Sequence, residues 1–151
     1  MEWIGVVYND IKEPGREEWG SVVSEVVLDE SLSEGLDGIQ EFSHLLILYW
    51  MHRAAEVEPV RMRRHPRGRA DIPEVGIFAQ RAPQRPNPIG VAAVKLLRRE
   101  KNRLFVQGLD AINGTPVLDV KPYVPRYDAV ESPRVPEWVS RLLAGDSPQE
   151  P

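Results

Sequence analysis

The chain has 151 residues, 42% of them hydrophobic, and a formal net charge of -4. That is enough apolar material for one core, and it lacks the basic excess of a protein that coats nucleic acid indiscriminately. Cysteine is absent, which excludes disulfides, thiolate nucleophiles and every zinc site built on sulfur.

The start, Met1-Glu2-Trp3-Ile4-Gly5, is not a basic stretch followed by an apolar one, and no apolar run reaches the roughly 18 residues of a membrane span, so a cytoplasmic location is expected. Residues 3–8 are rich in β-branched side chains and predict a strand. Residues 21–28 predict another, although Val22, Val23, Val26 and Val27 also fit one face of a helix. Gly35 and Gly38 lie within residues 31–41, which predict a turn or a single helical turn ahead of Phe42. The run from Ser43 to Met51 is apolar on both parities and predicts a strand covered on both faces. His44 and His52 fall an even number of residues apart and share a face if that strand stays regular; isolated histidines of this kind are more often satisfied core residues than ligands. With three histidines and no cysteine, no metal site is expected.

Residues 58–73 contain Pro59, Pro66, Gly68 and Pro73 and no periodicity, which predicts an exposed, mobile loop. Within it Arg61, Arg63, Arg64, His65, Arg67 and Arg69 stand together with no acid among them, while acids dominate residues 9–41 and the tail. Such a cluster either binds phosphates or is a solvated surface. Strands are predicted at 75–80, 89–97, 103–109 and 116–123, with Asn113-Gly114 marking a hairpin turn. From Pro136 to Leu143 apolar residues recur at helical spacing, with proline in the first turn and Gly145 as the stop. Six or seven short strands and one terminal helix predict a mainly β domain over residues 1–144, a barrel or a sandwich, with a disordered tail at 145–151. No Gly-x-Gly occurs and strands do not alternate with helices, so a Rossmann sheet is excluded.

Two segments carry the chemistry most visibly. In the run from Gly76 to Gly90, Pro83, Pro86 and Pro88 fix three φ angles and leave carbonyls free to accept hydrogen bonds, while Arg81 and Arg85 can take a carboxylate or phosphate. This stiff loop is either a site or a rigid crossover. In the last predicted strand Asp119, Lys121 and Tyr123 alternate with Leu118, Val120 and Pro122, so the three polar side chains share one face, either a salt-bridged exterior or a ligand site.

The strings Gly38-Ile-Gln-Glu-Phe-Ser-His44, Gly76-Ile-Phe-Ala-Gln-Arg81, Arg85-Pro-Asn-Pro-Ile-Gly90, Leu109-Asp110, Asn113-Gly-Thr-Pro116 and Asp119-Val-Lys-Pro-Tyr123 occur in this order. Over about Ile4 to Asp128 the chain resembles the TsaA-like family, whose characterised members are tRNA (N6-threonylcarbamoyladenosine-37) N6-methyltransferases. The resemblance implies a small β-barrel, S-adenosylmethionine as cofactor, tRNA as partner and a homodimer. It assigns cofactor binding to Asp10, Ile11 and Lys12 after the first strand, His52 and Arg53 after the long apolar strand, Arg81 and Val91 around the proline string, and Asp119, Val120, Lys121 and Pro122 in the late strand. Family members carry Ser-Pro where this chain has Asn9-Asp10, and bacterial members carry a C-terminal extension that is expected to be missing here. In the implied reaction adenosine N6 must lose a proton as it takes the methyl group. Asp110, Asp119, His52 and Tyr123 are the polar candidates for accepting it, and the sequence does not rank them. Arg61, Arg63, Arg64, Arg67 and Arg69 are the expected RNA-binding residues. The competing readings are the same fold with a different acceptor and a barrel that binds nucleotide or RNA without catalysis.

Overall fold

Side chains that alternate between two environments along a strand are what a closed sheet requires, because one face lines an enclosed core and the other does not. The computed structural model describes residues 1–15 and 18–144, so the tail expected at 145–151 lies outside the described residues. Its strands are β1 (Gly5–Tyr8), β2 (Val23–Leu28), β3 (His44–Trp50), β4 (Arg63–Arg64), β5 (Val75–Gly76), β6 (Ile89–Glu100), β7 (Arg103–Gln107) and β8 (Pro116–Pro122). Among the described residues six of them close a barrel in the order β1, β2, β7, β6, β3, β8, with every neighbour antiparallel. Among the described residues three short α-helices accompany the barrel: α1 (Ala54–Val57), α2 (Pro125–Asp128) and α3 (Glu137–Ala144). None is long and apolar enough to cross a membrane.

The inward row is Val7, Val26, Leu45, Ile47, Val94, Leu104, Val106 and Val117, each at most 1% exposed. Residues 21–28 therefore resolve as a strand, since pairing with β1 and β7 buries Ser24, Val26 and Leu28 on one side, which a helix would not do. The stretch 31–41 forms two 3-10 helices, Glu30–Leu36 and Ile39–Glu41, and buries Leu36. On β3 the inner face is fully buried but Leu46, Leu48 and Trp50 on the outer face are only half covered, short of the two-sided burial expected. His44 and His52 are both exposed, so neither is a core histidine.

Two local irregularities set where side chains point. The register between β3 and β8 shifts after Leu48, which pairs with Asp119 while Tyr49 pairs with Val117. Leu118 is thus the extra residue of a bulge, and the bulge keeps Val117 and Val120 on the core side with Asp119 and Lys121 outside. On β6, Gly90 lies against Tyr49, and a Cβ there would collide with the Tyr49 ring. Tyr49 is 4% exposed and has little room to yield. Gly90→Ala is therefore expected to destabilise the barrel by about 1–3 kcal/mol, as overpacking typically does; urea denaturation checks it, and an unchanged midpoint would contradict the packing described.

Residues 58–73 depart from the mobile loop expected. Pro66 is buried and Ile72 is 1% exposed. The His65 ring meets the Ile72 carbonyl at 2.6 Å, and Arg64 and Val75 pair across the β4–β5 hairpin. The strand expected at 75–80 is only two residues long and continues as a 3-10 turn, Ile77–Ala79, which buries Ile77 and leaves Phe78 exposed.

Candidate functional site

One end of the barrel opens into a cavity of about 550 Å³. Its walls come from segments far apart in sequence: Pro14, Gly15 and Trp19; Tyr49 and Met51 to Ala54 with Val57; Arg67; Arg81 and Pro83 to Arg85; Ile89 to Val91; and Asp110 to Ile112 with Thr115.

The first wall is fastened by Asn9. Its side-chain amide donates to Ser24 Oγ at 2.9 Å and to the Ala111 carbonyl at 2.8 Å, and its side-chain oxygen accepts from the Ile11 N–H at 3.0 Å. The Asn113 N–H in turn donates to the Ile11 carbonyl at 2.7 Å. The Asn9 side chain thus ties this loop to both β2 and the segment after β7. The proline string forms a second wall. The Met51 N–H donates to the Pro88 carbonyl at 2.7 Å, the Arg81 guanidinium to the Val91 carbonyl at 3.1 Å, and Arg85 to the Gln80 carbonyl at 3.1 Å. Gln80 is nearly buried and donates to the Arg64 and Val75 carbonyls, both at 3.3 Å, which ties the string to the β4–β5 hairpin.

The electrostatics of the cavity centre on Asp110, Arg81 and Tyr49. Partial desolvation raises the Asp110 carboxyl above the ordinary aspartate value, and the positive charge of Arg81 offsets part of that rise. Burial, reinforced by the negative charge of Asp110, drives the Tyr49 hydroxyl far above the usual phenol value, so it keeps its proton and is available as a donor. A carboxylate with raised proton affinity, a phenol that keeps its proton and a guanidinium at one mouth can accept a proton and hold polar groups of a ligand.

Of the residues assigned to a cofactor by resemblance, His52, Arg53, Arg81 and Val91 line this cavity. Lys12 is tied to it through its carbonyl, which accepts from Arg53 at 3.2 Å, while Asp10 and Ile11 stand behind in the first loop. Asp119, Val120, Lys121 and Pro122 do not line it. Asp119 and Lys121 form an ion pair at 2.7 Å on the outside of β8, and Val120 packs against the core. The two groups are joined by a row of paired residues, Val91 to Leu48 to Asp119, which at strand spacing runs about 10 Å across the outer face. Among the four candidate proton acceptors, Asp110 and His52 line the cavity, whereas Asp119 and Tyr123 do not. Tyr49 and Trp19 escaped the sequence reading: the parity of Tyr49 with Leu45 and Ile47 was the only signal for the first, and nothing local marked the second.

The arginine cluster divides. Arg61 and Arg63 are exposed beside a smaller concavity of about 340 Å³ that also includes Arg64, Glu58 and Glu74. Acids flanking the cluster compensate part of it: Arg64 pairs with Glu58, and Arg69 pairs with Asp71 at 2.6 Å. Arg67 instead lines the main cavity. Among the described residues no three His, Cys, Asp or Glu side chains gather as a metal would need.

The tRNA-methyltransferase O N-terminal domain family matches residues 12–129. A probable S-adenosyl-L-methionine-binding protein of Pyrococcus abyssi is 38% identical over 148 residues, covering 91% of this chain and 74% of its own. The human tRNA (adenine(37)-N6)-methyltransferase is 37% identical over 103 residues, covering 64% of this chain and 22% of its own. The crystal structure of TrmO from Pseudomonas aeruginosa superposes with a TM-score of 0.69 at 32% identity over 88% of this chain. This chain spans 59% of the length of that solved protein.

Proposed function

The chain belongs to the tRNA-methyltransferase O N-terminal domain family, and on that premise we propose that it transfers a methyl group from S-adenosylmethionine to N6 of threonylcarbamoyladenosine at position 37 of tRNA. The observation that carries this reading is the meeting, in one cavity, of His52, Arg53, Arg81 and Val91 with the carboxylate of Asp110. The cavity volume, about 550 Å³, falls within the roughly 300–1,000 Å³ of small-molecule sites, and its mixture of apolar and polar walls suits a nucleoside bearing an amino-acid side chain. When bound, S-adenosylmethionine supplies an electrophilic methyl group and departs as the neutral thioether. The residues that would hold it are Arg81, for its carboxylate, Val91 and the proline-string carbonyls, for its base, and Asp119 and Lys121 on the outer face. Asp110 removes the N6 proton of the acceptor, which frees the nitrogen lone pair that the adjoining urea and ring otherwise draw away, and Tyr49 donates a hydrogen bond that fixes the carboxylate or the acceptor.

Binding is tested by calorimetry in the presence of a chelator, where the methyl donor is expected to bind without added metal. Arg81→Ala and Asp119→Ala are each expected to weaken it ten- to a hundredfold, the equivalent of losing a charge-assisted hydrogen bond of about 1.5–3 kcal/mol, and to weaken folding much less. Normal binding by both variants would remove the assigned site. Transfer is tested with methyl-tritiated donor and tRNA with or without the threonylcarbamoyl group; label entering only the modified tRNA supports the proposal, and label in neither contradicts it.

We also propose that two copies associate through the outer face of β3 and β6. Ile89 and Val91 there are 39% and 44% exposed, beside half-covered Leu46, Leu48 and Trp50, an apolar strip adjoining the row that leads to Asp119. Sedimentation equilibrium is expected to give twice the chain mass; a monomer at micromolar concentration contradicts it. A cytoplasmic location, where tRNA is modified, follows from the same reading.

A further inference from the structure

A base that reacts inside a pocket must first leave the stack of its own strand, and its departure leaves a neighbouring base with one bare face. Covering that face takes a flat apolar surface close to the pocket, with cations beside it for the flanking phosphates. The segment around Phe78 has this composition.

Phe78 is 75% exposed between two anchored neighbours. Ile77, before it, is 1% exposed, and its N–H donates to the Met62 carbonyl at 2.9 Å. Gln80, two residues on, is nearly buried, and its side-chain amide donates to the carbonyls of Arg64 and Val75 at 3.3 Å and of Gly76 at 3.5 Å. These anchors fix the backbone of the turn Ile77–Ala79. The ring then has only two side-chain torsions to settle, so ordering it against a ligand costs little.

A solitary exposed apolar side chain would call for no explanation, but Phe78 has company. The bond from Ile77 to Met62 continues the pairing of Arg63 with Gly76 by one rung, and the next residues in the two segments are Arg61 and Phe78. Met62 and Val60 are 56% and 42% exposed. Arg61 and Arg63, both exposed, line the outer concavity of about 340 Å³. An apolar protein partner would have to desolvate those guanidiniums, whereas a nucleotide covers the ring with its base and meets the guanidiniums with its phosphates. The main cavity is close by as well. Arg81, three residues beyond Phe78, lines it, so at most about 11 Å of chain separates the two. A nucleotide adjoining the one that enters the cavity is within that reach.

Resting on the methyl-transfer reading above, we propose that Phe78 is a stacking platform for a base next to the target adenosine: it covers the face bared when that adenosine enters the cavity, while Arg61 and Arg63 hold the flanking phosphates.

The test measures binding of an RNA stem-loop that carries the target adenosine, and of two further stem-loops in which the nucleotide on one or the other side of it lacks its base. Phe78→Ala is expected to weaken binding of the intact RNA at least about fivefold, the lower end of what one base–aromatic stack contributes. The slope of log affinity against log salt should not change, because no charge is lost. Phe78→Trp should keep the affinity, and melting of both variants should match wild type, since the ring is exposed. On one of the two abasic RNAs the penalty of Phe78→Ala should vanish, as the partner of the ring is then already gone. A penalty that persists on both abasic RNAs overturns the proposal, and so does an Ala variant that binds the intact RNA like wild type. An Ala variant with half the sedimentation mass of wild type places Phe78 between two copies of the chain and overturns it; an equal loss of affinity for S-adenosylmethionine in calorimetry assigns the ring to the donor and overturns it likewise. Wild-type protein that transfers no methyl group to tRNA removes the methyl-transfer reading and this inference with it, whereas transfer that proceeds beside a persisting penalty overturns this inference alone.

Discussion

Asp110→Asn is expected to slow methyl transfer by about a hundred- to ten-thousandfold, the usual contribution of a positioned general base, and at the same time to stabilise the folded protein at neutral pH. The two effects have one cause. Partial desolvation raises the Asp110 carboxyl in the folded state above its ordinary value, with Arg81 restoring only part of the loss. Between the unfolded and the folded values the native protein binds more protons than the unfolded chain, so stability falls as pH rises through that window and the whole penalty is present above the folded value. Asparagine keeps the shape and removes the charge, so the variant's advantage should be present at neutral pH and vanish in acid below both values. The same titration should appear in the wild-type rate, which rises with pH as the carboxyl loses its proton. Urea denaturation across pH and single-turnover rates at saturating donor check both halves. A variant that retains the wild-type rate contradicts the assignment of the base, and one that loses rate without the pH-dependent gain in stability shows that Asp110 is not desolvated in solution.

Neutralising Arg61 and Arg63 together is expected to be the most damaging surface change for tRNA binding. A protein of net charge -4 is repelled on average by RNA, so a productive encounter needs a local positive patch. Arg64 and Arg69 are partly compensated by Glu58 and Asp71, and Arg67 lines the cavity, which leaves Arg61 and Arg63 as the exposed arginines of the cluster that lie outside it. If each meets a phosphate, removing both should lower the magnitude of the slope of log affinity against log salt by about 1.4–1.8 in total. Affinity for S-adenosylmethionine should stay as it was, because neither side chain lines the main cavity. Filter binding across salt concentrations decides it, and an unchanged slope means that the pair is solvated surface.

The strands Val23–Leu28 and Arg103–Gln107 were legible in the sequence, the first through its β-branched content although the same valines also fit a helix face. The terminal helix was legible within one residue from its apolar spacing. Elements shorter than a period were not: the pairing of Arg63–Arg64 with Val75–Gly76 leaves no pattern, and the apolar pair Ile77-Phe78 reads as strand although it belongs to a tight turn. The bulge at Leu118 also leaves no mark, yet it fixes which side of β8 bears Asp119. Parity did place Asp119 and Lys121 on one face, where they form an ion pair. The cavity was only partly visible. Its proline string announced itself through three fixed φ angles, but Tyr49 reads as one more apolar residue of a strand, and the orientation of Arg67 depends on a backbone angle that no local composition specifies.

The proposed reaction methylates a modified adenosine next to the anticodon. Its most direct test is mass analysis of nucleosides from the tRNA of a strain lacking this gene, with and without the wild-type chain restored. N6-methyl-N6-threonylcarbamoyladenosine is expected to disappear from the deletion strain and its unmethylated precursor to accumulate by the same amount, and the wild-type chain is expected to restore the methylated form while the Asp110→Asn variant does not. Unchanged levels of the methylated nucleoside in the deletion strain, or loss of a methyl group from a different nucleoside, would contradict it.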